Sequence, residues 1–240
     1  MRIEINNIVK TFKDIEVLNV PHLSIDTSQI AGFIGNNGSG KTTLFRLILD
    51  LLKAEKGEIS INGEIVNESD KWKEHTGSYL DEKFLIDFLY PEEYFRLIKE
   101  VYKISNTDFS TMMDLFHPFM NNEILHKKKL IQSHSRGNKQ KIGIIGAMLP
   151  QPDILLLDEP FNFLDPSSQI KLKQLLLYYN QNHGTTILLS SHNLQYVMDI
   201  CSRIIVLDSG YILYDETDIT EIDRNKIMNY FSKDTQIESI

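Results

Sequence analysis

Apolar and polar residues follow different periods in different parts of the chain. Residues 1–31 alternate in short pieces, which predicts antiparallel strands with one solvent-facing side. Residues 57–66, GEISINGEIV, alternate with period two around the turn NG and predict a β-hairpin. From about Asp81 to Leu149 the apolar residues recur at three- and four-residue steps, which predicts helices. The chain thus changes from a β-rich to a helical region.

Continuous apolar runs elsewhere predict strands that are buried on both faces. IAGFIG leads directly into glycines, and DILLLDE and TTILLSSH flank a predicted helix that starts near Pro166 and ends at Gly184. RIIVLDSG and YILYDE predict the last strands. This order predicts an α/β fold with a mainly parallel sheet, an N-terminal antiparallel β subdomain and an inserted α-helical subdomain.

Composition and charge narrow the classes of partner. The chain has 33 acidic and 25 basic residues, and its formal charge of -8 argues against a nucleic-acid surface as the main partner. The basic run at residues 126–130 is interpreted as a solvated face. The single cysteine, Cys201, cannot form an internal disulfide, which fits a reducing compartment. The first residues, MRIEINNIVKTF, lack the apolar core of a signal peptide, and no apolar run approaches the roughly 18 residues of a membrane span. We therefore expect that, if the protein acts at a membrane, another chain spans it.

A phosphate-binding loop is the strongest chemical motif. Residues 35–43, GNNGSGKTT, lie between a predicted strand and a predicted helix, which is the context this pattern requires. Its glycines let the backbone wrap the phosphates, Lys41 reaches the β- and γ-phosphate oxygens, and Thr42 offers its hydroxyl to Mg²⁺. A merely flexible turn does not explain Lys41 and Thr42. The predicted nucleotide-binding residues here are Gly35, Asn36, Asn37, Gly38, Ser39, Gly40, Lys41, Thr42 and Thr43.

Candidate catalytic residues follow two other buried strands. Asp158 ends one apolar run, where it can hold Mg²⁺ through water, and Glu159 is the candidate general base. His192 ends the next run, level with this pair in a parallel sheet, and is predicted to contact the γ-phosphate or the attacking water. Together with Lys41 these residues form the predicted catalytic set. Phe12, in a turn before the phosphate loop, is the candidate platform for adenine; the alternative is an ordinary loop aromatic.

A second candidate anion site lies in SHSRGNKQ, residues 133–140. It precedes a predicted helix, whose start presents unpaired N–H groups and the positive end of the helix dipole. The alternative is that Ser135 simply caps its own helix. The phosphate loop at residues 35–43 already provides one phosphate site, so this second candidate site calls for a different ligand or a different role.

The ordered set GNNGSGKT, SRGN, ILLLDEP, FLDP and SSH resembles the nucleotide-binding subunits of ATP-binding cassette (ABC) transporters, over almost the whole chain. The resemblance implies a P-loop NTPase core, ATP and Mg²⁺ as cofactors, and ATP hydrolysis. It also implies that a second copy, or a similar cassette, packs head to tail, so that Ser135, Gly137 and Asn138 bind the γ-phosphate of the other copy's ATP. Asp165 would lie in the loop that crosses between the copies, besides capping the helix at Pro166.

Some positions depart from the family's usual residues. The signature usually begins Leu-Ser-Gly-Gly-Gln, whereas residues 134–138 read HSRGN. Glu82, or else Asp81, stands where the family usually has Gln; a carboxylate there is predicted to ligate Mg²⁺ directly or through water. Phe163 replaces a usual Gly ahead of the Leu-Asp pair. We expect the signature to remain functional, since its Ser and second Gly are retained.

The resemblance predicts one ABC ATPase domain that drives a separate integral membrane permease from the cytoplasm, peripheral to the inner face of the cell membrane. Its core is assigned to residues 1–82 and 150–215, the helical signature subdomain to 83–149 and a short tail to 216–240. YLDE and SRGNKQK favour a single-cassette exporter of drugs, antibiotic peptides or lipid-linked polymers. The alternatives are a soluble ABC protein that acts on ribosomes or nucleic acid, and a regulatory module with low turnover. No nucleic-acid partner is expected.

Overall fold

The computed structural model describes residues 1–217, 227–228 and 230–231, so most of the predicted tail lies outside the described residues. Within the described part of the chain, helices are too short or too polar to cross a membrane. The strands in chain order are β1 (Ile3–Phe12), β2 (Ile15–Ile25), β3 (Ile30–Ile34), β4 (Lys56–Ile61), β5 (Glu64–Ile65), β6 (Thr76–Tyr79), β7 (Ile154–Leu157), β8 (Thr186–Ser191), β9 (Arg203–Asp208) and β10 (Tyr211–Thr217). The α-helices are α1 (Lys41–Ile48), α2 (Pro91–Val101), α3 (Asn106–Met120), α4 (Arg136–Met148), α5 (Pro166–His183) and α6 (Leu194–Met198), and short 3₁₀ helices span Lys71–His75, Glu82–Phe84 and Ile131–Ser133.

The N-terminal strands form the predicted antiparallel sheet, in the order β2-β1-β4-β5. Ile3 pairs with Ile25 on one side and with Ile61 on the other, so apolar residues line up across the sheet. The β4–β5 hairpin is confirmed. Its turn places Asn62 and Gly63 in the left-handed region, at φ 52° and 80°, as a tight two-residue hairpin requires.

A six-stranded sheet in the order β10-β9-β3-β8-β7-β6 forms the centre of the fold. Its strands are parallel except β10, which pairs antiparallel with β9. Alternate residues of β7 face opposite sides of the sheet. Leu155 and Leu157 pack in one cluster with residues of α2 to α5, while Ile154 and Leu156 pack in a second cluster with residues of α1 and the antiparallel sheet. Both faces are therefore covered, as the continuous apolar runs predicted.

Strand order brings the carboxyl ends of β3, β8 and β7 side by side at one edge. The phosphate loop follows β3, Asp158 follows β7 and His192 follows β8. Sequence reasoning did not predict β6, whose four residues TGSY contain no apolar run. The backbones of β6 and α4 approach each other closely at Gly77, since a Cβ on this residue would lie 2.1 Å from the carbonyl oxygen of Ala147.

The predicted helical region forms the three α-helices α2, α3 and α4, with two short 3₁₀ helices between β6 and α4. Ser105 caps α3 through a hydrogen bond from the amide of Asp108, and Asn121 ends the helix in the left-handed region at φ 54°. From Gln140 to Met148 every residue of α4 is buried. Because α4 packs against β6 and β7 as well as α2 and α3, it connects the helices to the central sheet.

Gly143 of α4 lies against a buried aromatic ring. A Cβ added there would come 2.0 Å from Cε2 of Tyr79 in β6. Replacing Gly143 with Ala is therefore expected to lower the free energy of unfolding by about 1–3 kcal/mol through overpacking, although alanine favours a helix. Gly146→Ala, on the same helix, is the control. Its nearest neighbours are Cε1 and the hydroxyl oxygen of Tyr94, at the far end of a side chain, at 2.8 and 2.9 Å, so the overlap is smaller than the 2.0 Å approach at Gly143. Urea unfolding of both variants measures the difference, and equal stabilities would contradict this account.

Candidate active site

The phosphate loop closes between β3 and the first turn of α1. Gly38 and Gly40 adopt φ 86° and 107°, a conformation that glycine reaches without steric cost. A Cβ on Gly35 would lie 2.2 Å from the carbonyl oxygen of Leu207, so this position also requires glycine. The loop and the start of α1 line a cavity together with Phe12 and Glu159.

Lys41 is a buried cation held by its own loop. Its Nζ donates hydrogen bonds to the carbonyl oxygens of Gly35 at 2.6 Å and Asn36 at 3.2 Å, and lies 4.0 Å from Oε1 of Glu159. Burial lowers the pKa of Lys41, while the negative charges of Glu159 and Asp158 oppose this shift. The ammonium group thus lies inside the loop, where bound phosphate oxygens would replace backbone carbonyls as its partners.

Asp158 is in hydrogen-bond contact with Thr42, the other residue predicted to hold Mg²⁺. The Thr42 hydroxyl donates to Oδ2 of Asp158 at 2.6 Å, and the hydroxyl of Ser190 donates to Oδ1. This hydroxyl and carboxylate are hard oxygen donors of the kind that Mg²⁺ prefers, so they fit the ion. Among the described residues, no group of three His, Cys, Asp or Glu side chains is placed to hold a metal. Phosphate and water oxygens would have to complete the coordination.

Glu159 and His192 are in contact, which the strand order had suggested. Nδ1 of His192 lies 2.9 Å from Oε2 of Glu159. The backbone of Glu159 is in the left-handed region at φ 48°, an uncommon conformation for this residue type. Its N–H donates to the hydroxyl of Ser190 at 2.8 Å, and its carbonyl accepts from Nε2 of Gln140 at 3.0 Å. These bonds fix the carboxylate between the phosphate loop and His192.

Ser190 and Gln140 are site residues that sequence reasoning missed. Both are polar side chains in otherwise buried segments, Ser190 in β8 and Gln140 in α4. A buried hydroxyl or amide needs a hydrogen-bond partner. In the sequence Ser190 is followed by Ser191 and Gln140 lies between two lysines, so neither residue stood out as a polar exception. Here the partners are the carboxylate of Asp158 and the backbone of Glu159.

Phe12 ends β1 and lies beside the phosphate loop. Its ring is 46% exposed, lines the same cavity as Lys41 and Thr42, and lies 5.1 Å from Nζ of Lys10. An exposed ring beside the loop is available for stacking with a nucleotide base. Its role as the adenine platform stays a prediction.

The signature terminus of α4 lies apart from the phosphate-loop cavity of the same chain. Ser135 is the N-cap of α4, and its hydroxyl accepts from the amide of Asn138 at 3.3 Å, so the capping interpretation applies. A Cβ on Gly137 would lie 2.5 Å from the carbonyl oxygen of Phe163, which explains the glycine. Residues that line the phosphate-loop cavity are Phe12, Val17, Asn37, Gly38, Ser39, Gly40, Lys41, Thr42, Thr43 and Glu159.

Glu82 lies at the edge of a second cavity that Asp158 and Glu159 also line. Its carboxylate oxygens lie 3.7 Å from Nε of Arg136 and 3.8 Å from Nζ of Lys139, both in α4. Asp81 instead caps a short 3₁₀ helix by accepting from the amide of Lys83 at 3.1 Å. The structure thus pairs Glu82 with cations, and its role as a magnesium ligand stays a prediction.

Asp165 caps α5 and contacts α4. Its carboxylate accepts from the amide of Ser168 at 3.0 Å and the hydroxyl of Ser167 at 2.7 Å, and lies 3.7 Å from Nζ of Lys141. Hydrogen bonds from the Ser167 and Ser168 side chains are the main reason that its pKa lies far below the ordinary 3.8. Stabilisation by this carboxylate is therefore complete above pH 3.8 and is lost as the pH falls toward the lower, folded-state pKa.

Replacing Asp165 with Ala is expected to lower the free energy of unfolding by about 1 kcal/mol at neutral pH, the usual contribution of an N-cap. Asp165→Asn is the matched control, because asparagine caps a helix about as well as aspartate. Urea unfolding over a pH series measures both variants. The difference between the wild type and Asp165→Ala should narrow as the pH falls below 3.8. A difference that is constant or grows in acid would contradict the assigned cap.

Comparison with known proteins identifies the family. The family model described as "ABC transporter" matches residues 18–162. The chain belongs to this family. It is an ATP-binding cassette and an ABC-type ATPase, which confirms the family, fold class and activity that the motifs predicted.

Two relatives illustrate the similarity. The uncharacterized ABC transporter ATP-binding protein YhaQ of Bacillus subtilis is 34% identical over 86% of the chain and 68% of its own length. The bacitracin transport ATP-binding protein BcrA of Enterococcus faecalis is 28% identical over 92% of the chain and 70% of its own length. The similarity therefore extends across most of the cassette.

Solved structures have the same fold. An ATP-binding subunit of an ABC transporter superposes with a TM-score of 0.83 at 26% identity, covering 95% of this chain and 94% of that one. The cassette MJ0796, solved as a dimer, gives a TM-score of 0.79 at 24% identity, covering 91% of this chain and 99% of that one. The central sheet with its antiparallel and helical additions is thus the ABC cassette architecture.

Proposed function

We propose that this ABC ATPase works as a pair of copies that close on ATP and drive a separate membrane permease. The observation that carries the proposal is the joint placement of Thr42, Asp158, Glu159 and His192 beside a phosphate loop with a buried lysine. A module that only binds nucleotide does not need a carboxylate paired with a histidine at the γ-phosphate end of its loop. This favours hydrolysis with turnover over the regulatory alternative.

Each residue of the site has a chemical role in this proposal. The amides of residues 35–43 and the ammonium group of Lys41 bind the β- and γ-phosphates. The Thr42 hydroxyl and the Asp158 carboxylate would hold Mg²⁺, which would neutralise negative charge on those phosphates. Glu159 orients the attacking water and accepts its proton, and His192 holds the Glu159 carboxylate through its Nδ1 contact. Phe12 stacks on the adenine.

The second anion site belongs to the other copy in this proposal. Ser135, Gly137 and Asn138 lie at a helix terminus outside the phosphate-loop cavity of their own chain. A helix terminus of this kind binds a γ-phosphate, which is present in ATP and absent from ADP. Two copies arranged head to tail would each present this terminus to the other's ATP. Closure then depends on the bound nucleotide.

A groove beside the helical region is a suitable surface for the permease. It lies between α2, α4 and the edge strand β6, and it is lined by Trp72, Tyr79 and Tyr94 among others. Leu51 and Phe84, also lining residues, are 50% and 57% exposed. Exposed apolar side chains around a groove are typical of protein contact sites.

The proposed organisation is a single cassette domain. It comprises a core at residues 1–82 and 150–215, a helical subdomain at 83–149 and a short tail at 216–240.

We propose export as the direction, because the segments YLDE and SRGNKQK favour a single-cassette exporter. The relative BcrA is named for the transport of bacitracin, one of the cargo classes of such exporters. An export motor of this kind works in the cytoplasm, on the inner face of the cell membrane. The permease then selects the cargo, since the cassette supplies only the ATPase.

Purification of the tagged chain from gently solubilised native membranes, followed by mass spectrometry, tests the transporter proposal. A polytopic membrane protein at one or two copies per pair of cassettes is the expected result. Recovery only with ribosomal or nucleic-acid-associated proteins would overturn it in favour of the alternative target. A Mg²⁺-dependent ATPase rate per chain that rises with protein concentration would support the paired state, whereas a negligible rate at all concentrations would favour the regulatory module.

A further inference from the structure

The first turn of α4 is unusually positive for a helix start. Its residues 136–139 read RGNK, so Arg136 and Lys139 add two cations to the positive end of the helix dipole. Negative charge is stabilising at such a terminus, and cations there attract an anion more strongly than a neutral turn does. A negative charge that lies close to this terminus is therefore stabilising.

Glu82 supplies that negative charge from the loop after β6. One carboxylate oxygen lies 3.7 Å from Nε of Arg136 and the other lies 3.8 Å from Nζ of Lys139. The side chains of Glu82 and Lys139 are 31% and 21% exposed, so this part of the cluster is only partly screened by water. The carboxylate thus bridges both cations of the turn.

The ring of Phe163 also contacts Arg136. The guanidinium carbon lies 4.2 Å from the centroid of the Phe163 ring, within cation–π range. Phe163 itself has φ 60°, a strained conformation for a bulky residue, and its carbonyl packs directly against Gly137. Glu82, Arg136 and Phe163 are three of the positions where the chain departs from the usual family residues, besides His134 and Asn138, and the structure brings these three into one cavity with Glu159.

We propose that Glu82 is a positioning residue that holds the cations of α4 inside their own protomer and restrains the closure of two copies on ATP. Its carboxylate takes the place of an anion at the terminus that the partner's γ-phosphate would otherwise attract. Closure then has to break or rearrange the pairs with Arg136 and Lys139. This inference rests on the proposed head-to-tail function and adds a restraint that this chain's own residues impose.

Replacing Glu82 with Gln removes the charge and keeps the shape, so it is expected to favour ATP-dependent dimerisation. Pairing a charge with a helix terminus contributes about 0.3–1 kcal/mol, so two sites that close together should lower the protein concentration for half-dimerisation roughly threefold to thirtyfold. A gain in dimerisation also separates the proposal from a structural role, because a damaged fold would weaken closure.

Sedimentation velocity with ATP and Mg²⁺ is the measurement, in a Glu159→Gln background in which hydrolysis is expected to be strongly slowed. Glu68→Gln is the control, since Glu68 is exposed and its replacement changes the net charge equally. Dimerisation of Glu82→Gln that equals or falls below the control would overturn the inference. A higher Mg²⁺ requirement for ATP binding to the Glu82→Gln protomer would overturn it as well, by making Glu82 a metal ligand. Failure of the background protein to dimerise on ATP at all would instead overturn the proposed function.

Discussion

Replacing Glu159 with Gln is expected to lower the rate of ATP hydrolysis by about 10²–10⁴-fold while ATP binding is retained. This is the usual contribution of a positioned general base. Glutamine has the same shape but does not accept the proton of the attacking water. The contacts that fix this position involve the backbone N–H and carbonyl of Glu159, with Ser190 and Gln140, so they remain in the variant.

Two measurements on the same protein separate chemistry from binding. Single-turnover phosphate release reports hydrolysis, and titration with a fluorescent ATP analogue reports affinity. Glu68→Gln is the control for the loss of one exposed carboxylate, and it should leave both values unchanged. Turnover within a few-fold of the wild type would show that another group takes the proton and would refute the role assigned to Glu159.

Features that depend on local sequence were predicted well. Residues 35–43 contain the glycines, lysine and threonine of the phosphate loop in one stretch, so spacing alone indicated their chemistry. DILLLDE and TTILLSSH are long enough to predict strands buried on both faces. Because parallel strands end at the same edge, Asp158, Glu159 and His192 were expected together, and the contact between Glu159 and His192 agrees with that expectation.

Features that depend on tertiary contacts were not predictable. β6 has four residues and gains its stability by pairing with β7, not from its own apolar content. The pairing of Glu82 with Arg136 joins segments that are distant in sequence. The ring of Phe163 lies beside Arg136, and its backbone adopts φ 60°, which the sequence does not reveal. Sequence reasoning noted each of these residues separately, as departures from a family pattern. Their proximity became visible only in the fold, and it suggests a common role for them.

The position of Lys41 predicts a variant with the opposite defect to Glu159→Gln. Lys41→Ala is expected to lose ATP affinity by about 100-fold or more, because hydrogen bonds to charged groups contribute about 1.5–3 kcal/mol each and Lys41 is assigned to both the β- and γ-phosphate. The Lys41 side chain is almost fully buried, and its Nζ lies among Gly35, Asn36 and Glu159 inside the phosphate loop. The defect should therefore appear in binding before it appears in chemistry.

The same fluorescent ATP titration measures the affinity of Lys41→Ala. Lys127→Ala is the control, because Lys127 is an exposed lysine in the loop between α3 and α4 and does not belong to the phosphate loop. Its affinity should equal that of the wild type. Loss of affinity in Lys41→Ala, with retained affinity in Glu159→Gln, would divide the site into a phosphate-binding part and a hydrolytic part. If Lys41→Ala bound ATP as tightly as the wild type, the cation would be a structural partner of the loop carbonyls, and phosphate recognition would have to rest on the backbone amides alone.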